Sequence, residues 1–157
     1  MDLEQALASA GQLRDLLAAE VESARAERHL LKSLDASGLF ARAAQRGDFL
    51  CEVARLEREL ATALARAAET LGLEQVTLER LRMRSPRQGQ ALSSILSDVR
   101  ALAGALQEID RLNLQLAGRA LACVRGYVDA VRPTPRAYDR RGGRAASPSI
   151  ALVSSKG

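Results

Sequence analysis

No tryptophan occurs among the 157 residues, and phenylalanine and tyrosine contribute only two each. With so few aromatics and few β-branched residues, a sheet would have little to pack with. Cysteine is almost as scarce. Cys51 and Cys123 stand singly among apolar neighbours without CxxC spacing, which argues against a disulfide framework or a thiolate metal site and predicts two small buried hydrophobes. The one histidine, His29, lies between Arg28 and Leu30 with no carboxylate or cysteine cluster to make it a base or a ligand, so a surface or boundary position is expected. No P-loop, dinucleotide-binding glycine string, HExxH or GxSxG pattern occurs, and Gly142-Gly143 follows no strand, so those glycines read as flexibility. Glu and Arg fall instead at helical separations, as in Glu52 with Arg55, which is how solvated helix faces are built. These absences predict a protein that is not an enzyme, with no catalytic residue, no cofactor and no metal. The N-terminus, MDLEQALASAGQ, has neither a basic leader nor a continuous apolar stretch, so no secretory signal and no membrane insertion are expected, and the expected location is the cytoplasm.

What is abundant is leucine and alanine. Hydrophobic residues make up 47% of the chain, enough for one buried core, and the strongest helix formers dominate them. The fold class expected is therefore all-α. The net charge of +4 is unevenly placed: residues 1–132 carry 18 basic and 18 acidic groups, while residues 133–157 carry five basic groups against Asp139 alone. The body is neutral and the excess sits in a tail.

Apolar residues recur at helical spacing from Leu3 through Leu7, Ala10, Leu13, Leu17, Val21, Ala24 and Leu31, which predicts a first helix over about 2–34. Asp35-Ala-Ser-Gly38 then offers capping residues and a permissive glycine for a turn. Periodicity resumes through Leu50, Val53, Leu60, Leu64, Ala67 and Leu71 and predicts a second helix over 38–71, closed by Gly72. Gly47 within it costs ~1 kcal/mol relative to alanine and marks a place where residues 38–46 would be offset from the rest. Residues 73–84 read as a brief helix or turn that returns the chain. Ser85-Pro86-Arg87-Gln88 has the residues of a capping box and opens a third long helix, over 85–132.

A seam of alternating 3–4 spacing runs along that helix through Leu92, Ile95, Val99, Leu102, Leu106, Ile109, Asn113, Leu116, Ala120, Cys123, Tyr127 and Ala130. At 1.5 Å per residue the helix is roughly 68 Å long, and Pro133 and Pro135 end it. So long a seam needs covering by the first two helices folded back along it, or by a second copy. An antiparallel, coiled-coil-like three-helix hairpin or bundle is the economical arrangement. Asn113, the one amide in the seam, is expected to fix register or form a buried hydrogen bond, a ligand contact being the other reading.

After Arg132 the composition changes to Pro, Gly and Ser without periodicity, which predicts a helical domain over 1–132 and a flexible basic tail over 133–157. Tyr138 and the apolar run Ile150-Ala-Leu-Val153 interrupt that tail and have the character of docking anchors.

The order of these features, namely long helices, Glu108-Ile-Asp-Arg-Leu-Asn113 late in the chain, a helix ending at Val131-Arg-Pro133, and Ala137-Tyr-Asp-Arg-Arg-Gly142 beyond it, resembles the FlgN family of flagellar type III export chaperones. Leu112-Asn113 corresponds to the family's Leu-Asn pair, Tyr138 with Gly142 to its tail Tyr and Gly, and Arg46 to a basic residue that is more often Lys. The chain departs from the family where Leu-Asn commonly runs on into Asn-Gly, having Leu116-Ala117-Gly118. The resemblance implies binding of hook–filament junction proteins before export and delivery to the flagellar export gate, with Tyr138 as the gate-docking residue. Partner binding is accordingly expected of Asn113, Leu116, Ala120 and Tyr127 on the last helix and of Tyr138, Ile150 and Leu152 in the tail. Two competing readings are a structural coiled-coil homodimer or adaptor built on the seam, and a tail-driven nucleic-acid binder, the latter disfavoured because the neutral body offers no basic stripe.

Overall fold

The computed structural model describes residues 2–73 and 77–132. Its elements are α1 (Asp2–Ser33), α2 (Ala36–Leu71), α3 (Leu78–Arg84) and α4 (Pro86–Val131). No strand occurs among the described residues, and the fold is all-α as the composition predicts. Two units are distinguished, Met1–Ala122 and the segment from Cys123 onward.

Within the first unit two apolar clusters show how the helices run. Leu3, Ala6 and Ala10 of α1 pack with Leu60, Ala63 and Ala67 of α2, with Leu81 of α3 and with Leu92 of α4. Further along α1, Leu13, Leu17, Val21 and Ala24 pack with Phe49 and Leu56 of α2 and with Leu106 and Ile109 of α4. Ascending numbers on α1 thus meet descending numbers on α2 and ascending numbers on α4. The unit is an up-down-up bundle, and α2 is antiparallel to both of its neighbours. Alanine lines much of the α1–α2 contact, so leucines fill the space between closely spaced backbones.

The helix ends differ in detail from the sequence-based expectation. The turn between α1 and α2 pivots on Leu34, whose φ of 55° is left-handed, and not on a glycine. Asp35 caps α2 by accepting from the Gly38 N–H at 3.0 Å. Gly38 lies inside α2, and a Cβ there would come within 2.6 Å of Asp35 Oδ2 and 2.8 Å of Leu30 Cδ2. The glycine makes room for the cap. Gly47 does not offset residues 38–46, because α2 continues unbroken through it. Gly72 closes α2 as predicted, with φ 64° and the two backbone bonds of a Schellman motif, Gly72 N–H to Glu69 O and Leu73 N–H to Ala68 O. At the start of α4 no Ser85–Gln88 capping-box bond forms among the described residues. Ser85 links the two helices through its backbone, donating to Leu81 O and accepting from the Gly89 N–H, each at 2.8 Å.

Gly89 marks the closest approach of α3 and α4. An added Cβ would lie 2.7 Å from Arg82 N and 2.8 Å from Arg82 Cα. Because these are backbone atoms, Gly89→Ala is expected to destabilise by about 1–3 kcal/mol despite alanine's better helix propensity. Urea unfolding followed by circular dichroism measures it; a variant as stable as the parent would show that α3 is free to move away.

The cysteines do not lie where the sequence placed them. Both are exposed. Cys51 occupies the face of α2 opposite the buried Phe49, Leu56 and Leu60, and Cys123 lies where α4 buries none of its side chains. Leu50 beside Cys51 is exposed with it while Phe49 is buried, and the residues around Cys123 are exposed with it. His29 is exposed, as expected.

Candidate partner-binding surface

The α4 seam changes character along its length. Leu92, Leu106, Ile109 and Asn113 are buried, and Ile95, Val99, Leu102, Leu116 and Ala120 are half-buried. In the second unit, the helical residues Cys123–Val131 are all exposed, and among them Val124, Tyr127, Val128 and Val131 present large apolar side chains to solvent. Tyr127 is 72% exposed and Val131 59%. The outer positions Leu112, Leu114 and Leu121 of the first unit are exposed as well. Tyr138, Ile150 and Leu152 lie outside the described residues.

Asn113 is 4% exposed, and its amide is engaged on both sides. Its Nδ2 donates to the carbonyl of Ala24 at 2.7 Å, and its Oδ1 accepts from Arg28 Nε at 3.2 Å. Both partners are on α1, so the amide ties α4 to α1 at one register. Asn113→Ala is expected to cost about 1–2 kcal/mol through the lost bonds and to leave α4 less precisely registered. Thermal unfolding checks the first part and amide exchange in α1 near Ala24 the second; unchanged values in both would remove the register role.

Beside Asn113 sits a cluster of charges that joins all three long helices. Arg42 of α2 donates to Glu20 of α1 at 2.5 Å, and its Nε lies 3.4 Å from Glu27. The side chains of Arg42 and Glu20 are 8% and 5% exposed. One turn along α2, Arg46 makes a two-pronged bond to Asp110 of α4, with Nη1 2.8 Å from Oδ1 and Nη2 on Oδ2. Arg46 also lies 3.9 Å from Glu20 and 4.0 Å from Glu27. The Asp110 hydrogen bond is the main reason the Arg46 guanidinium is held above its ordinary pKa, against the opposing effect of burial. Each charge lies within ion-pair distance of another, although Glu27 Oε2 and Arg42 Nε are buried without a hydrogen bond, and the cluster fastens the three helices together.

Sequence reasoning did not find this cluster, although a signal existed. Arg42, Arg46 and Phe49 fall at i, i+4 and i+7 on α2, so a buried face contains two arginines. Glu20 likewise follows Leu13 and Leu17 on the buried face of α1. Charged residues on an apolar face point to pairing inside the fold.

These helices, and the motif from Glu108 to Asn113 whose Asp110 and Asn113 fasten α4 to its neighbours, agree with the comparison against protein families. The model described as "FlgN protein" matches residues 1–146. The chain belongs to the FlgN family. Membership places it among proteins of flagellum biogenesis and export that act as chaperones. No curated protein and no solved structure matches the chain. None of the described helices is long and apolar enough to cross a membrane. In FlgN terms, Leu112-Asn113 divides a covered part of α4 from one whose apolar residues are increasingly open.

Proposed function

We propose that this FlgN-family chain binds hook–filament junction proteins in the cytoplasm and brings them to the flagellar export gate. The observation that supports it is the run of exposed apolar residues in the last turns of α4. Exposed apolar groups on successive turns suit the apolar face of an amphipathic helix, and the termini of junction proteins have that character. Val124, Tyr127 and Val131 of the second unit are the anchors of this surface, and Leu116 and Ala120 are further client contacts on the first unit. Asn113 contributes by fixing where α4 stands. In the tail, Ile150 and Leu152 extend the client contact and Tyr138 docks to the gate, its ring providing amphipathic contact area at low entropic cost.

Co-purification with the terminal segments of the junction proteins, sized by light scattering, tests this reading. A discrete complex is expected. Val124→Glu with Val131→Glu should weaken it at least tenfold, roughly 1.4 kcal/mol or more, without changing helicity, since both positions are exposed. Removal of residues 133–157 should leave helicity intact and impair gate docking. Absence of any client complex, or binding indifferent to the paired glutamates, would overturn the proposal.

A further inference from the structure

One exposed face of α2 carries no charged group over four turns. Phe40, Ala44, Gly47, Leu50, Cys51 and Ala54 fall at 3–4 spacing, are all exposed, and include no charged group. Phe40 is 79% exposed and Leu50 59%. The stripe is about 21 Å long at 1.5 Å per residue. At its centre, a Cβ on Gly47 would meet nothing within 4 Å, so no packing within the protomer calls for a glycine there. A mid-helix glycine costs roughly 1 kcal/mol relative to alanine.

We infer that this face of α2 pairs with the same face of a second copy, the two helices running antiparallel about a two-fold axis at Gly47. The stripe is complementary to itself in that arrangement and in no parallel one. Residues equidistant from Gly47 become opposites, so Leu50 of each copy faces Ala44 of the other and Phe40 faces Ala54. Large side chains thus meet small ones throughout, and Gly47 meets Gly47 at the crossing, where the absence of side chains permits close backbone approach.

The charges at the stripe's ends agree with this symmetry. Arg58 bounds it at one end, folded along the helix with Nε on Ala54 O at 3.0 Å, and makes no ion pair among the described residues. Asp35 bounds it at the other, with one carboxylate oxygen capping Gly38 and no ion pair among the described residues. The two-fold places Arg58 opposite Ala36, next to Asp35, so each end gains an opposite-charge pair. A client helix would have to supply this pattern; a second copy has it already.

Sedimentation equilibrium of the full chain, with and without the two variants Phe40→Glu and Leu50→Glu, tests the inference. Twice the chain mass is expected for the parent at tens of micromolar, and dissociation at least tenfold easier for each variant with unchanged circular dichroism. With both native cysteines changed to serine, Gly47→Cys is expected to form a disulfide-linked dimer under mild oxidation, and Ala61→Cys is not. A parent that is monomeric at 100 micromolar, or a dimer that neither glutamate weakens, would overturn it, the second result pointing to the α4 seam instead. A monomer that loses junction-protein binding on Leu50→Glu would also overturn it and make the stripe a client surface. Because the Val124 and Val131 substitutions lie elsewhere, failure of this pairing and failure of the proposed client surface are read separately.

Discussion

Arg42→Ala is expected to be the most damaging single substitution in the helical unit, lowering stability by about 3–5 kcal/mol. The reason lies in what is left behind. Arg42 is enclosed between Glu20 at 2.5 Å and Glu27 at 3.4 Å, and Glu20 has only 5% of its side chain in solvent. Once the guanidinium is gone, two carboxylates share a largely dry site with Arg46 alone, 3.9 Å from one and 4.0 Å from the other, and Arg46 is already bonded to Asp110. Against a total stability of about 5–15 kcal/mol, such a loss would unfold a sizeable fraction of the protein on modest warming. Replacing both partners, as in Glu20→Leu with Arg42→Leu, removes the stranded charge along with the pair and should cost far less than Arg42→Ala alone. The single changes Glu20→Leu and Arg42→Leu are therefore expected to be non-additive by about 1–3 kcal/mol. Urea unfolding of the four proteins in the cycle measures this. If Arg42→Ala fell within 1 kcal/mol of the parent, the cluster would be hydrated and would not fasten the bundle.

That cluster also shows where the sequence could be read and where it could not. The long helices were legible because leucine and alanine recur at 3–4 spacing, and α2 ends at Gly72 in the motif that its position predicted. Asn113 was legible for the same reason, being the one amide in a seam of apolar residues. Pairings between helices were not: Arg42 meets Glu20, and Arg46 meets Asp110, across 22 and 64 residues of chain. No local pattern records such separations. Faces caused the other errors. Cys51 follows Phe49 and Leu50 and precedes Val53 by two residues, yet successive residues point 100° apart on a helix, and its own direction is outward. The turn at Leu34 illustrates a different limit, since local rules favour glycine for a left-handed φ and the chain places leucine there, with Asp35 capping the next helix. For the candidate surface, the sequence located the helix but not the change along it from covered to open apolar residues, because burial depends on which other helices lie alongside.

Leu56→Ala should have the second-largest effect, about 3 kcal/mol, for a reason that follows from the composition of the bundle. Leu56 is 2% exposed and packs in the cluster with Leu13, Leu17, Val21, Phe49, Leu106 and Ile109, where all three long helices contribute. Truncation removes three carbons' worth of burial and leaves a void that its neighbours must collapse to fill, and the measured range for such changes is about 2–5 kcal/mol. Collapse is hindered here. The cluster's neighbours include Ala24, which has no side chain to extend, and the registers of α1, α2 and α4 are pinned nearby by Arg42, Arg46 and Asn113. A polar fastening that fixes register thus raises the cost of a cavity beside it, so the two predictions are linked. In the background of Glu20→Leu with Arg42→Leu, where part of the fastening is absent, Leu56→Ala should cost measurably less than in the parent. Equal losses in both backgrounds would mean that the helices hold their register by packing alone.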